Sequence, residues 1–290
     1  LFQPRDVWRS VNQASIDYFL KQAADKVTID ILDGHGALVR SFAGTPEDDK
    51  KKDDNNDEEA EFFGPRGPKP PARKAGVNRF TWDLRYPGSK TFEGMVLWSA
   101  RAEVGPVAPP GDYAVRFTAA GVTQTAKFHV FRDPRLNTVT DEDLEKQFQL
   151  ASQVRDRLSD ADQMVIDIRS IKKQLKERVE KAKDPELNAA AERLETKLSA
   201  VEEEVYQVRN RSNQDPLNFP IKLNNMLGAL ARSIETGDAR PTDQSYVVFK
   251  ELSDRLDAQK AKLDEALRNN LPPVNEQLKS KGLEKVAPSS

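Results

Sequence analysis

The stretch Val27–Phe42 reads VTIDILDGHGALVRSF, and it decides how the first half of this chain folds. Val27, Ile29 and Ile31 fall on one side of an extended backbone, with Thr28 and Asp30 on the other. That is the period-two pattern of a half-buried strand. Asp33-Gly34-His35-Gly36 follows with residues that tolerate positive φ, as a tight hairpin requires. Leu38–Phe42 returns as the partner strand. The stretch is a β-hairpin.

The same period runs outward from it. Ser15–Leu20 alternates apolar and polar residues upstream. Downstream, Asn78, Phe80, Trp82 and Leu84 should face a core, with Val77, Arg79, Thr81 and Asp83 on the other face. Pro109-Pro110-Gly111 turns the chain into an inward row of Tyr113, Val115 and Phe117. Gly121 turns it again into Ala126, Phe128 and Val130. Short strands with turn signals and no helical period predict an antiparallel Ig/FnIII-like β-sandwich of about seven strands over residues 1–135. Within it, 44–75 is a run of acids and lysines followed by GPRGPKPP. Neither composition can bury enough surface to offset chain entropy, so a disordered insert is expected there. Its carboxylates lack the fixed spacing around a glycine turn that an ordered divalent-cation site uses.

Asp133-Pro134-Arg135 closes the strands, and the period changes. Thr140 caps a helix whose first turn carries Asp141, Glu142 and Asp143. Apolar residues from Leu144 to Ala182 then recur about every 3.5 positions, the spacing of a coiled-coil seam, on a helix roughly 60 Å long. Asp184-Pro185 restarts a second helix, with Leu187, Leu194, Leu198 and Val205 in its seam. Leu223, Leu227, Leu230 and Ile234 mark a third, stopped by Gly237. Arg240-Pro241-Thr242 opens a fourth, which Leu271-Pro272-Pro273 is expected to end. Residues 138–285 therefore read as an antiparallel α-helical bundle of about four helices.

The 290 residues carry 45 basic and 47 acidic side chains, a net charge of -2. No global field recruits nucleic acid. There is no cysteine, which removes disulfides, thiolate metal sites and cysteine nucleophiles together. His35 and His129 are the only histidines. No apolar run is long enough to span a bilayer. Asp83, Glu93 and Asp112 stand beside aromatics, but Asp83 reads as a strand-end acceptor and Asp112 as a turn residue. No GxSxG elbow, GxGxxG loop or P-loop occurs, so no catalytic residue, metal ligand or cofactor site is assigned. Trp82 reads as core. Phe92, Met95, Leu97 and Trp98 lie in the irregular stretch between Pro87 and Pro106. They form either a cap over an open sheet edge or an exposed docking or glycan patch. The chain opens on Leu1-Phe2-Gln3-Pro4, without an initiator methionine, and reads as the interior of a longer polypeptide.

Three segments in order carry a resemblance: Val27–Phe42, Gly76–Gly88 (GVNRFTWDLRYPG) and Pro109–Thr118 (PPGDYAVRFT). They resemble the C-terminal region of exported bacterial proteins built on sortilin-like, BNR-repeat β-propellers, often labelled glycosyl hydrolases. They are also similar to the FlgD-type immunoglobulin-like fold. DPRL at Asp133–Leu136, QFQL at Gln147–Leu150 and VRDRLS at Val154–Ser159 extend the first likeness, which covers the chain from Leu1 to Leu283. The resemblance implies a propeller N-terminal to this chain as its partner, and a periplasmic or extracellular location. It places the hydrolase label on that propeller and carries no family catalytic residue onto this sequence. The insert at 44–75 departs from the family's compact pattern. The expectation is a non-catalytic structural or interaction module, with protein docking or self-association through the bundle. A carbohydrate-binding accessory role, or the rim of a propeller active site, is the alternative.

Overall fold

The structure, a computed structural model, describes residues 1–48 and 68–289. It mixes a β-sheet-rich part with four helices and forms two compact units. Each unit is discontinuous in sequence, whereas the sequence reading has two continuous domains, 1–135 and 138–285. Unit one holds Leu1–Gly88, Glu103–Ser152 and Gly237–Pro241, and unit two holds Ser89–Ala102, Gln153–Thr236 and Thr242–Ser290.

Unit one contains nine strands among the described residues: β1 Val7–Trp8, β2 Ala14–Leu20, β3 Val27–Asp33, β4 Leu38–Gly44, β5 Gly76–Trp82, β6 Arg85–Pro87, β7 Val104–Val107, β8 Gly111–Ala119 and β9 Val122–Phe131. One sheet has the order β1-β9-β8-β3-β4; β2 pairs with β5 and β6 with β7. The hairpin read from Val27–Phe42 is β3 and β4. At its turn Asp33 Oδ1 accepts hydrogen bonds from the backbone N–H of His35 and Ala37, both at 2.9 Å. Gly36 takes the φ of +82° that the reading required. The inward rows share one core, including Ile16, Ile29, Ile31, Phe80, Trp82, Leu84, Val115 and Val130. Trp82 is fully buried, and its indole N–H donates to the Arg85 carbonyl at 3.0 Å. One pairing departs from the antiparallel expectation. β1 runs parallel to β9, with Val7 opposite Val130 and Trp8 opposite Phe131.

Most of the insert expected at 44–75 lies outside the described residues. Its C-terminal end is fastened to the strands instead of looping free. The Tyr18 hydroxyl donates to the Ala72 carbonyl at 2.6 Å, and Arg73 exchanges hydrogen bonds with Ala24. Gly44 permits this approach, since a Cβ there would meet the Pro71 carbonyl oxygen at 2.0 Å.

The helices are α1 Asp141–Ala182, α2 Pro185–Val205, α3 Leu223–Ile234 and α4 Asp243–Ser280. Three of their starts follow the predicted caps. Thr140 Oγ1 accepts from the Asp143 N–H while Asp143 Oδ2 accepts from the Thr140 N–H, a reciprocal capping box. Asp184 caps α2 with Pro185 at the first position, and Thr242 caps α4. The end of α4 is a correction, because the helix runs through Pro272 and Pro273 to Ser280. Two prolines forfeit two backbone donors, but Val274 and Leu278 beyond them are fully buried and hold the helix on. The stop is Gly282, at φ +69°, with the Leu283 N–H reaching back to the Leu278 carbonyl.

In unit two Arg169 of α1 meets Glu202 of α2, and Asp162 of α1 meets Asn224 of α3. Neither α2 nor α3 alone matches the length of α1 at about 1.5 Å per residue. Lys197 of α2 meets Asn270 of α4, and Arg157 of α1 meets Asp257 of α4. No helix among the described residues is long and apolar enough to cross a membrane.

Candidate functional site

A cavity of about 490 Å³ lies in unit two where α2 ends. Glu202, buried one turn before that end, is its central charge. Arg169 and Lys172 stand three positions apart on α1 and share a face. Arg169 Nε donates to Glu202 Oε1 and Lys172 Nζ to Oε2, each at 2.7 Å. Tyr206 leaves the helix in extended conformation and turns its ring inward, almost wholly buried. Its hydroxyl accepts from the Val96 N–H at 3.1 Å and bonds the Gly94 carbonyl at 3.2 Å. Burial raises the pKa of that hydroxyl. The Arg169 guanidinium stacks 4.8 Å from the Phe92 ring and 5.2 Å from Tyr206, and the two rings meet edge to face.

The arrangement fixes a segment. Ser89–Ala102 is closed at its base by the Ser89 N–H on the Ala102 carbonyl, 2.7 Å. At its far end Asn225 of α3 plays the part of a neighbouring strand. Its Oδ1 accepts from the Trp98 N–H at 2.6 Å, and its Nδ2 donates to the Trp98 carbonyl at 2.9 Å. Gly228, one turn on, lets the segment approach, since a Cβ there would stand 2.9 Å from the Ala100 Cβ. Replacing Tyr206 with phenylalanine removes the hydroxyl and strands the Val96 N–H in a buried position. The expected result is a loss of about 1–2 kcal/mol, read as faster amide hydrogen exchange confined to the Gly94–Trp98 stretch.

The predicted patch residues lie on this segment, which belongs to the helical unit. Phe92, Met95 and Leu97 are half-buried, and Phe92 is engaged by Tyr206 and Arg169. Trp98 keeps 41% of its surface exposed and pairs with no other ring among the described residues. The acids weighed for catalysis do not converge. Asp83 accepts the Arg85 N–H at 3.2 Å at the strand end, with burial raising its pKa. Asp112 lies 2.7 Å from His129 Nδ1 on the paired strand, and Glu93 belongs to the other unit. Among the described residues no three His, Cys, Asp or Glu side chains are grouped to hold a metal ion.

Sequence reading missed Arg169, Lys172, Glu202, Tyr206 and Asn225. Glu202 sits in VEEEV, where nothing distinguishes a buried acid from its solvated neighbours. Asn224-Asn225 opening an apolar helix was the one readable signal. Asp162 was missed as well. It is fully buried beside seam positions Ala161 and Val165, accepts a 3.1 Å hydrogen bond from Asn224, and leaves Oδ2 without a partner.

No protein-family model matches the sequence, and no curated protein matches it. Among solved structures, the crystal structure of CopC from Methylosinus trichosporium OB3b aligns with 43% of this chain and 80% of that one. The alignment has 16% identity and a TM-score of 0.21. A likeness at that level assigns neither a fold nor a function.

Proposed function

We propose that the chain is a non-catalytic structural and interaction module. In this reading an immunoglobulin-like sandwich and a helical bundle follow a β-propeller in an exported bacterial protein, acting in the periplasm or outside the cell. One observation supports it above the others. The acid Glu202 of the α2-end cavity is held by two cations and the Tyr206 hydroxyl by two backbone groups, so both are committed to structure. The propeller and the location rest on the resemblance alone. Docking through the helices is supported by Tyr246, Val247 and Val248 on α4, exposed by 41%, 66% and 41%. Such a run is unusual on a solvated helix turn.

The test is to express the segment encoded upstream as a separate polypeptide and titrate it with this chain by calorimetry. Saturable binding is expected, with light scattering following the helical unit's own association. Addition of this chain should leave any aryl-glycoside hydrolysis by the upstream segment unchanged. A rate that appears only when both are present would favour the rim of a split active site. An upstream segment without propeller repeats would overturn the reading.

A further inference from the structure

The parallel β1–β9 pair does more than extend the sheet. It sets Trp8 directly opposite Phe131, and both rings stay in water, 42% and 37% exposed. Their centroids are 4.8 Å apart with planes tilted by 33°. His129, two residues before Phe131 and therefore on the same strand face, places its ring 4.4 Å from Phe131. The three rings form a continuous shelf beside a shallow cavity of about 210 Å³, bounded by Pro110, Arg132, Pro134 and Asp141. Leaving such area open forgoes roughly 25 cal/mol per Å², and exposed aromatic runs of this kind mark binding surfaces.

We propose that this shelf binds a carbohydrate, with Trp8 and Phe131 stacked on the C–H face of a sugar ring and Asp112 and Arg132 hydrogen-bonding its hydroxyls. Size and ring geometry select that ligand class. The cavity lies below the roughly 300–1,000 Å³ of sites for larger ligands, and it suits a single sugar ring of a longer chain. Its carboxylates already have polar partners. Asp112 bonds the His129 ring at 2.7 Å and Asp6 accepts the His129 N–H at 2.7 Å. Asp141 lies 3.4 Å from Arg132 in the first turn of α1, where the helix dipole favours a negative charge. Gently tilted rings make a shelf rather than the cage that a cationic ligand needs. A neutral polyol fits both facts. The Asp112 side chain is 79% exposed, and a carboxylate can accept further donors beyond the histidine bond. The inference stands apart from the propeller-associated reading and does not need it.

The experiment titrates the full chain with cellohexaose, xylohexaose, laminarihexaose and chitohexaose by calorimetry and tryptophan fluorescence. At least one is expected to bind saturably, with Kd on the order of 10⁻⁴ M. Trp8→Ala should weaken that binding at least tenfold, as should Phe131→Leu, which keeps apolar volume in the strand. Trp8→Phe should retain most of it, and Trp98→Ala should leave it unchanged. The proposal is overturned if none of the four binds, or if binding survives Trp8→Ala and disappears with Trp98→Ala. Tetramethylammonium binding at the shelf in place of the sugars would overturn it too. So would a concentration-dependent dimer abolished by Trp8→Ala, which would make the face a protein interface.

Discussion

Asp162→Asn is expected to stabilise unit two at about pH 8 by about 2–4 kcal/mol and to leave stability at about pH 4 nearly unchanged. Burial raises the Asp162 carboxyl from its ordinary 3.8 to about 7, and the hydrogen bond from Asn224 offsets only part of that. Below 3.8 the carboxyl is protonated in both folded and unfolded chains and costs nothing. Between 3.8 and about 7 the unfolded chain releases the proton and the folded chain keeps it. Stability therefore falls by about 1.4 kcal/mol per pH unit. Above that window the group is ionised in both states and the full penalty remains. Oδ2 without a partner fits this direction, because an ionised carboxylate would need more donors than Asn224 supplies. The asparagine isostere removes the ionisation and keeps the shape. Asp143, Asp184 and Asp215, whose pKa values are lowered by their hydrogen bonds, weaken wild type and variant equally in acid. The difference between the two melting curves across pH isolates Asp162. A difference that stays flat from acid to alkaline pH would show that the carboxyl is solvated.

Asp162 also marks where the sequence stops being readable. The hairpin at Val27–Phe42, the inward set of Asn78, Phe80, Trp82 and Leu84, and the starts of three helices were legible because each rests on local chemistry. Side-chain alternation, a glycine at positive φ and a capping hydroxyl all act within a few residues. Pro272-Pro273 misled because propensity is local, whereas the burial of Val274 and Leu278 that overrides it is not. The two residues of β1 are too few to show a period, and the Trp8–Phe131 shelf depends on that pairing. The 89–102 segment is irregular, and its place in unit two is set by Asn225, which lies 127 residues from Trp98 along the chain. Glu202 and Asp162 sit one position from the helical seam, where about 100° of helix rotation separates a solvated acid from a buried one. No single-sequence pattern resolves that angle.

Arg9→Met should cost about 3 kcal/mol of the stability of unit one, with little dependence on salt. Arg9 is a buried cation, 3% exposed, in the first turn after β1. Its guanidinium donates from Nε and Nη2 to Asp238, from Nη1 to the Ala108 carbonyl at 2.5 Å, and from Nη2 to Gln147 Oε1 at 3.3 Å. One side chain thus gathers the N-terminal strand, the turn before β8, the opening of α1 and the connector Gly237–Pro241. Gln147 Nε2 also donates to the Gly237 carbonyl at 2.7 Å. Methionine retains the apolar stem and deletes the donors, so the loss reports unsatisfied acceptors and not a cavity. The Ala108 carbonyl and Gln147 would each cost about 1–3 kcal/mol if left without a partner in a dry site. Asp238 keeps 22% exposure and can recover water, which holds the sum near the lower end. Asp238→Asn should therefore cost less than Arg9→Met, and the double variant should show coupling of about 1–2 kcal/mol. Hydrogen exchange gives the spatial check: protection should fall together at Trp8–Val11 and at Gly237–Pro241. A salt-sensitive loss below about 0.5 kcal/mol would instead mark an ordinary surface pair, and the connector would have to be held by Gln147 alone.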